Sequence, residues 1–356
     1  MVFKQLLNDV YNGKDPNYEK LFKHIYQQLN KGILNGYNKS LKNISYKSPD
    51  FVMLNELSYN VGVFTAFKNH SKIMELVSIL KNKNGELRTF REFKKEATKI
   101  IGTYNKRYLR VEYNQAVTSA RAARKWQEIQ RSKHLYPNLT YMSLQDDRTR
   151  PIHKAWHGIT LPIDHPFWKT HYPPNDWECR CYVKKTNEPT YTKGYEVEQM
   201  PELPKQFNIN TGIEGKVFSD KHPYFQTPYY KKIATFAKNS LVNHSKKQVL
   251  NFFKITGTNS KKFVSSLGVV RLTGTALNEI VNSFHSNAFM RNNLLFDIKQ
   301  VLKDASFVKT VRETADPATK YRHYLLVETG KQSFYLNIKE METGEKILYA
   351  ITESIQ

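Results

Sequence analysis

The residues best suited to chemistry are two histidines and the two cysteines of the chain, all between positions 153 and 181. His153 and His157 are four residues apart, so in a short helix they share one face. Cys179 and Cys181 are two apart, so in an extended backbone both thiols point to the same side. Imidazole and thiolate ligands suit Zn²⁺. The four residues are therefore a candidate zinc site, although metal fingers usually have Cys-x-x-Cys rather than Cys-x-Cys.

The same segment can also be interpreted as a folded loop without a metal. Asp147 would then pair with Arg148, Arg150 or Arg180, and the cysteines would be small buried hydrophobic residues beside core tryptophans. His-Lys-Ala-Trp-His lacks the glutamate that metalloproteases have after the first histidine. No pattern marks an oxyanion hole for a Cys–His nucleophile. A metal-dependent hydrolase is therefore the less favoured interpretation.

The flanking sequence predicts the elements that position these residues. Residues 1 to about 135 have apolar side chains at helical spacing. Ala116, Ala120, Ala123 and Trp126 form a stripe of mostly small residues where another element can approach closely. Residues 138–145 are a strand candidate. Pro151 is a favourable first residue for a short helix, and Gly158 is a favourable end.

The chain is strongly basic, with 55 Lys and Arg against 32 Asp and Glu and a net charge of +23. Residues 271–356 contain 11 basic and 10 acidic residues, so +22 of this charge lies in residues 1–270. This uneven distribution of charge favours a polyanionic partner, most simply nucleic acid, for the first two thirds of the chain. The first 16 residues carry charges where a secretion signal has its apolar centre, and no run of about 18 apolar residues occurs. We expect neither a signal peptide nor a membrane span.

The stretches DDRTRPIHKAWHG and HPFWKTHYPPNDWECRCYV resemble the phage head morphogenesis domain of phage Mu F-like and SPP1-type minor head proteins. The pattern of that family is Asp-x-Arg-x-Arg-x-x-His, a glycine, a Pro-Pro pair and a closing Cys-Arg-Cys. The matching residues here are Asp147, Arg148, Arg150, His153, Gly158, Pro173, Pro174, Cys179, Arg180 and Cys181. The resemblance covers about residues 90–185.

This resemblance implies a minor head protein that lies in few copies inside the virion head, near the portal vertex. During assembly such a protein is in the host cytoplasm, where it helps portal and capsid proteins to form the procapsid. It contacts the packaged genomic DNA, and in some phages it leaves the head with the genome. The basic charge agrees with contact through phosphate neutralisation. The family offers no established catalytic mechanism, so the metal question stays open.

The last segment resembles a second group, the phage-associated nuclease-like domains grouped with barnase, EndoU, colicins and RelE. The likeness covers about residues 265–356 and is carried by a His-Tyr that opens a strand, two glycine turns, and the stretches YLNI and LYAIT. Alternating apolar residues predict three strands joined by Thr-Gly turns. Residues 268–286 and 292–305 are predicted to be helical.

If this segment is such a nuclease, the resemblance implies metal-independent cleavage of host RNA. A base takes the 2′-OH proton, cations hold the phosphate, and an acid protonates the leaving oxygen. The candidates are His323 as base or acid, Arg312, Arg322 and Lys339 for the phosphate, and Tyr349 as an orienting hydroxyl. Side-chain alternation predicts that His323, Lys339 and Tyr349 gather on one face of the sheet. The near-neutral charge of the segment also fits an inactive or partner-binding module.

We therefore expect an α+β protein with four parts. These are a helical N-terminal region (residues 1–89), an irregular α+β head-morphogenesis domain (90–185), a linker and helical segment (186–264), and a small C-terminal α+β domain with an antiparallel sheet (265–356). The expected function is that of a phage minor head protein with a C-terminal ribonuclease effector. The alternatives are a purely structural minor capsid protein with an inactive tail, and a metal-dependent hydrolase.

Overall fold

The computed structural model describes residues 2–14, 16, 18–194, 203–257, 259–283 and 286–355. The chain forms two compact units, one of residues 1–38 and 56–237 and the other of residues 39–55 and 238–356. Two of the three unit boundaries fall inside long helices, α3 (Pro49–Ser78) and α9 (Tyr230–Phe253), and the third lies between residues 38 and 39. The expected division into four parts stays a prediction. No helix within the described ranges is long and apolar enough to cross a membrane.

Helices dominate the start of the first unit, as the sequence predicts. Besides α3 they are α1 (Val2–Tyr11), α2 (Tyr18–Tyr37), α4 (Phe90–Gly102), a π-helical segment (Thr103–Tyr108) and α5 (Leu109–Arg131). Three short helices follow, α6 (Pro151–Ala155), α7 (Phe167–His171) and α8 (Thr211–Glu214). Apolar faces of α1 to α4 bury one cluster that includes Leu6, Leu21, Leu76 and Phe93.

The helices α2 and α5 pack closely because small residues meet at their contact. A Cβ atom on Gly36 would lie 2.1 Å from the carbonyl oxygen of Val117 and 3.0 Å from the Cβ of Ala120. A Cβ atom on Gly32 would lie 3.2 Å from the Cβ of Ala116. The small-residue stripe predicted on α5 is therefore the surface on which α2 packs.

We predict that Gly36→Ala destabilises the first unit by about 1–3 kcal/mol, the usual cost of forcing extra atoms into a packed interior. Gly102→Ala is the matched control, because Gly102 is also helical and no atom lies within 4 Å of its added Cβ. That change should stabilise the unit by about 0.5–1 kcal/mol through helix propensity. Urea unfolding followed by tryptophan fluorescence measures both, since all four tryptophans lie in the first unit. Equal stabilisation by the two changes would contradict the close packing.

A three-stranded antiparallel sheet follows α5 in the chain. Its central strand β1 (Asn138–Met142) pairs with β2 (Thr160–Pro162) and β3 (Tyr182–Thr186). The strand predicted for residues 138–145 is confirmed from Asn138 to Met142, and residues 143–145 lie beyond its end. Side chains from the sheet and the tryptophan-rich segment share one core, which includes Leu139, Tyr141, Trp156, Trp168 and Tyr172.

Within the segment predicted as linker and helix (186–264), Val217 and Phe218 pack against α3. Asn60 on α3 donates from Nδ2 to the Phe218 carbonyl over 3.0 Å, and its Oδ1 accepts from the Val217 and Phe218 amides over 2.9 Å each. Phe64, one turn further along α3, stacks on Phe218 with the ring centroids 3.6 Å apart. Residues 195–202 of the predicted linker lie outside the described residues. Residues 217 and 218 are therefore a folded part of the first unit, whereas residues 238–264 of the same predicted segment belong to the second unit.

The second unit contains a six-stranded sheet in the order β4-β5-β9-β8-β7-β6. The strands are β4 (Ser260–Ser265), β5 (Gly268–Thr273), β6 (Ser306–Arg312), β7 (Thr319–Thr329), β8 (Gln332–Met341) and β9 (Lys346–Thr352). Between β5 and β6 in the chain lie α10 (Gly274–Asn282), α11 (Ala288–Leu294) and α12 (Ile298–Asp304). Neighbouring strands are antiparallel except β5 and β9, which are parallel. The predicted α+β class is confirmed.

The three C-terminal strands follow the prediction, but the helix predicted for residues 268–286 is wrong at its start. Residues 268–273 form β5, and α10 begins at Gly274, where the Thr273 hydroxyl accepts from the Ala276 amide over 3.0 Å. Val270 and Leu272 are both buried, which is the period of a strand rather than of a helix. β4 and β6 have no counterpart among the predicted strands. Every residue of β6 is exposed, so its sequence carries no alternating signal.

Candidate functional site

Three of the four candidate metal ligands lie together in the first unit. His153 is on α6, and Cys179 and Cys181 come just before β3. The Nδ1 atom of His153 is 3.8 Å from the Cys179 sulfur and 3.6 Å from the Cys181 sulfur. All three ligand atoms lie within 4.8 Å of one another, and both cysteines are free thiols. The Cys-x-Cys spacing brings both thiols to one side, as predicted.

The short helix α6 aims His153 at the cysteines. It starts at Pro151, as the sequence predicts, and the chain turns after it at Gly158, whose φ of +86° suits glycine. His153 is buried, and its ring stacks on Trp156 with the centroids 5.4 Å apart. The imidazole is therefore fixed by packing before any ligand arrives.

The surroundings make the two thiols different. A hydrogen bond from the Cys181 thiol, supported by His153, lowers the pKa of Cys179 to about 4 against the opposing effect of burial. The same hydrogen bond, followed by burial, raises the pKa of Cys181. Two thiols and an imidazole that lie together are a ligand set that can bind a borderline-soft cation.

His157 does not join the cluster. Its Nδ1 atom is 3.1 Å from the amide nitrogen and 3.0 Å from the carbonyl oxygen of Ser143. His153 and His157 do not share a helix face as expected, because α6 ends at Ala155 and His157 lies beyond the helix. The predicted set of four ligands is therefore corrected to three.

Two arginine–carboxylate pairs fasten the segment around the cysteines. Arg180 contacts the two carboxylate oxygens of Asp146 at 2.7 and 2.6 Å. The Nε atom of Arg150 is 2.7 Å from an Asp176 carboxylate oxygen. The predicted pairing of Asp147 with an arginine is wrong, because Asp146 holds Arg180 and Asp147 is exposed.

The spacing of the motif explains this correction. In Asp-x-Arg-x-Arg-x-x-His the aspartate stands two residues before Arg148, which is the position of Asp146. Arg148 itself is exposed. The Pro173–Pro174 peptide bond of the motif is cis.

Asp146→Asn should lower the melting temperature of the protein, whereas Asp147→Asn should leave it unchanged. The hydrogen bond from Arg180, followed by one from Thr149, holds the pKa of Asp146 well below its usual range. The pair therefore stabilises the fold above the unfolded carboxyl pKa of about 4, and this stability is lost as the pH falls toward the lowered pKa. Thermal unfolding should separate the variants at pH 7 and less so below about pH 3. Identical melting temperatures at pH 7 would overturn the assignment of Asp146.

A groove of about 840 Å³ opens beside the cysteines. Cys179, Cys181, Pro173 and Pro174 all line it. Among its described lining residues none is acidic and five are basic, namely Arg121, Lys125, Arg180, Lys184 and Lys185. A groove with this lining attracts anions.

In the second unit, a row of polar residues crosses four strands on one face of the sheet. Arg312 on β6 is opposite Tyr321 on β7, Tyr321 is opposite Glu340 on β8, and Glu340 is opposite Lys346 on β9. Directly opposed residues share a face. His323 lies two residues from Tyr321 on the same strand and so belongs to this face.

His323 is hydrogen-bonded through both ring nitrogens. Its Nε2 atom is 2.9 Å from the Glu340 carboxylate, and its Nδ1 atom is 2.8 Å from the Thr310 hydroxyl. The hydrogen bond with His323 lowers the pKa of Glu340. Lys346 Nζ lies 3.4 Å from the same carboxylate. A histidine–carboxylate pair with cations nearby is suited to proton transfer beside a phosphate.

The prediction that His323, Lys339 and Tyr349 gather on one face is wrong. Lys339 lies 4.0 Å from the centroid of the Tyr349 ring, and the Arg322 guanidinium lies 5.6 Å from the same centroid. Arg322 immediately precedes His323 on β7, and Lys339 immediately precedes Glu340 on β8, so both point to the opposite face. Of the other predicted residues, Arg312 shares the face of His323.

Glu340 and Lys346 are the residues that the sequence interpretation misses. The pairing register of β7 and β8 follows from the turn at Gly330 and Lys331, where Thr329 pairs with Gln332. Counting residue pairs back from this turn puts His323 opposite Ile338. Glu340 then falls on the face of His323.

Comparisons with known proteins relate the segment that contains the first unit's site to a family of phage proteins. Residues 83–184 match the sequence profile of the family described as "Phage Mu protein F like protein". "Putative capsid assembly protein F" of Escherichia phage Mu is 40% identical over 72 residues, which are 20% of this chain and 16% of that protein. "Mu-like prophage FluMu F protein" of Haemophilus influenzae is 42% identical over 72 residues, which are 20% and 17% of the two chains. No solved structure matches this chain.

The chain therefore aligns with about a sixth of the length of these curated relatives. The matched range includes α5, the His153–Cys179–Cys181 cluster and both arginine–carboxylate pairs. Residues 83–184 thus carry a Phage Mu F-like domain, and this homology supports a place for the domain in the head-morphogenesis family.

Proposed function

We propose that this protein acts in phage head assembly as a minor head protein. The observation that carries the proposal is that the Phage Mu F-like match coincides with the folded cluster of thiols, imidazole and ion pairs. The Mu relative is described as a capsid assembly protein. In this proposal the protein lies inside the head near the portal, and its partners are portal and capsid proteins.

A test of assembly uses a phage whose gene for this protein is deleted and supplied again from a plasmid. We expect few filled heads without the protein and normal numbers with the wild-type chain. The Trp156→Ala variant should fail to restore them, because Trp156 is buried and its ring contacts both Tyr141 and His153. Lys83→Gln, an exposed change, should restore them. Normal filled heads in the deletion strain, counted by electron microscopy, would refute the proposal.

We further propose that the groove of the first unit contacts the packaged DNA. Its lining is basic, and +22 of the net charge of the chain lies in residues 1–270. Phosphate contacts of this kind carry no sequence information.

Removing one groove cation should weaken DNA binding equally for all sequences. The slope of the logarithm of the binding constant against the logarithm of the salt concentration should become shallower by about 1 for each phosphate that the protein no longer neutralises. Fluorescence anisotropy with duplex DNA at several salt concentrations measures this for Arg121→Gln and Lys184→Gln. Lys83→Gln, outside the groove lining, is the control. An unchanged slope in both groove variants would exclude this surface.

As a second candidate function, we propose that the second unit cleaves host RNA without a metal. Glu340 would take the 2′-OH proton as that oxygen attacks phosphorus, and His323 would protonate the departing 5′-oxygen. Arg312 and Lys346 would hold the phosphate. The observation that favours this is the 2.9 Å contact between His323 and Glu340 in a row with these two cations.

The alternative to RNA cleavage is an inactive or partner-binding module. Residues 271–356 are nearly neutral, with 11 basic and 10 acidic residues, so they attract RNA weakly. Activity of the full chain on RNA decides between the two.

A further inference from the structure

We propose that His153, Cys179 and Cys181 bind Zn²⁺ through three protein ligands, and that the fourth position faces the basic groove and takes a ligand from outside the chain. This inference is independent of the proposed assembly function. It assigns a cofactor and a ligand class to a cluster that the assembly proposal uses only as a folded part of the matched range.

The distances between the ligand atoms fit the metal. Zn–N bonds of about 2.0–2.1 Å and Zn–S bonds of about 2.3 Å, meeting at the tetrahedral angle, need N···S separations of about 3.6 Å. The observed separations from His153 Nδ1 are 3.6 Å to Cys181 and 3.8 Å to Cys179. One ion can therefore reach all three atoms with little movement of the chain.

Neighbouring groups hold the ligands in place, as in preorganised metal sites. Trp156 stacks on the His153 ring. Arg180, which stands between the two cysteines, is tied to Asp146 by two contacts. These contacts fix the positions of the imidazole and of the backbone between the two thiols.

The fourth position is not supplied by a nearby histidine, cysteine or carboxylate of the described chain, where the cluster has three members. His157, the obvious fourth candidate, is held at Ser143 instead. Both cysteines line the groove, which has five basic residues. Zinc sites with three protein ligands keep a water in the open position, and the surrounding cations favour its exchange for a small anion.

Cobalt substitution tests the three ligands. The full-length protein is stripped with a chelator and titrated with Co²⁺, which reports thiolate ligands by near-ultraviolet charge transfer and tetrahedral geometry by intense visible bands. We expect one equivalent of Co²⁺ with both signals, displaced by Zn²⁺. His153→Ala should weaken binding at least tenfold, while the matched His157→Ala should bind as the wild type does. Wild-type protein without the thiolate band would overturn the site, and this readout does not depend on whether a variant folds.

Azide and inorganic phosphate test the fourth position. Either anion should shift the visible bands of the cobalt protein while the thiolate band persists. Visible bands that stay unchanged at saturating concentrations of both anions would show a closed position and overturn that part of the inference. Heads that assemble normally with a metal-free His153→Ala protein would leave the zinc site standing, so the two proposals are tested separately.

Discussion

Lys68→Met should lower the free energy of unfolding of the first unit by about 3–5 kcal/mol at pH 7, the range for breaking a buried ion pair from one side. Lys68 on α3 pairs with Glu112 on α5, and their side chains are 0% and 4% exposed. Burial lowers the pKa of Lys68 and raises the pKa of Glu112, while each charge opposes that effect on the other. Removing the ammonium group leaves a carboxylate with little solvent to stabilise it.

The double variant Lys68→Met/Glu112→Met should recover part of that loss, because it removes the uncompensated carboxylate. Recovery is not complete, because Lys72 is also fully buried and loses its attraction to Glu112. Lys99→Met is the control on an exposed pair, where Lys99 and Glu96 are 67% and 37% exposed. It should cost no more than about 0.5 kcal/mol. Urea unfolding of the wild type, the single variants Lys68→Met and Glu112→Met, the double variant and Lys99→Met gives the comparison. Strict additivity of the two single changes would contradict the pairing.

The loss of unfolding free energy caused by Lys68→Met should also depend on pH. Without its partner, Glu112 has a folded pKa further above its unfolded value of about 4.5. A raised carboxyl pKa favours the folded state below the unfolded pKa, and this stability is lost as the pH rises through the folded pKa. The variant should therefore be closest to the wild type near pH 4.5 and furthest from it at pH 7. A deficit that does not change with pH would mean that Glu112 is not the residue left uncompensated.

His323→Ala should reduce RNA cleavage by the full chain about 10²–10⁴-fold, the usual contribution of a positioned acid or base. Glu340→Gln should cause a loss of similar size, because the amide cannot accept the 2′-OH proton. Cleavage should persist in a chelator and should fail on a substrate with a 2′-deoxy sugar at the cut. Gel analysis of a labelled oligoribonucleotide measures the rates.

The opposite face of the sheet provides the matched control for this prediction. Lys339→Ala and Tyr349→Phe alter a cation and a ring that contact each other but lie away from His323. Both variants should keep cleavage within a few-fold of the wild type. A loss in Lys339→Ala as large as that in His323→Ala would support the single-face arrangement expected from the sequence. No cleavage by the wild-type chain would support the inactive module.

Much of the fold follows from local sequence signals. The helical spacing of residues 1–135 and the Pro151 start of α6 have direct physical causes, and both match the structure. The stripe at Ala116 and Ala120 correctly marks a close helix contact, although nothing local indicates that Gly36 is the residue opposite. Such partners depend on tertiary packing, which spacing along one helix does not reveal.

The site was harder to predict because it depends on where elements end. His157 is four residues from His153, but the helix stops between them. Asp146 and Asp147 are adjacent acids, and the spacing of the motif marks Asp146, which is the one that meets Arg180. In the second unit, a shift of one position along a strand changes the face, which separates Lys339 from His323 and brings Glu340 to it.

The central proposal is that this chain, whose residues 83–184 match the Phage Mu F-like family, is a component of the phage head. Quantitative mass spectrometry of purified filled heads tests it most directly, with a major capsid peptide as the internal standard. We expect peptides from residues 83–184 at a small and reproducible copy number per particle. Purified heads that contain the capsid standard but none of these peptides would contradict the claim.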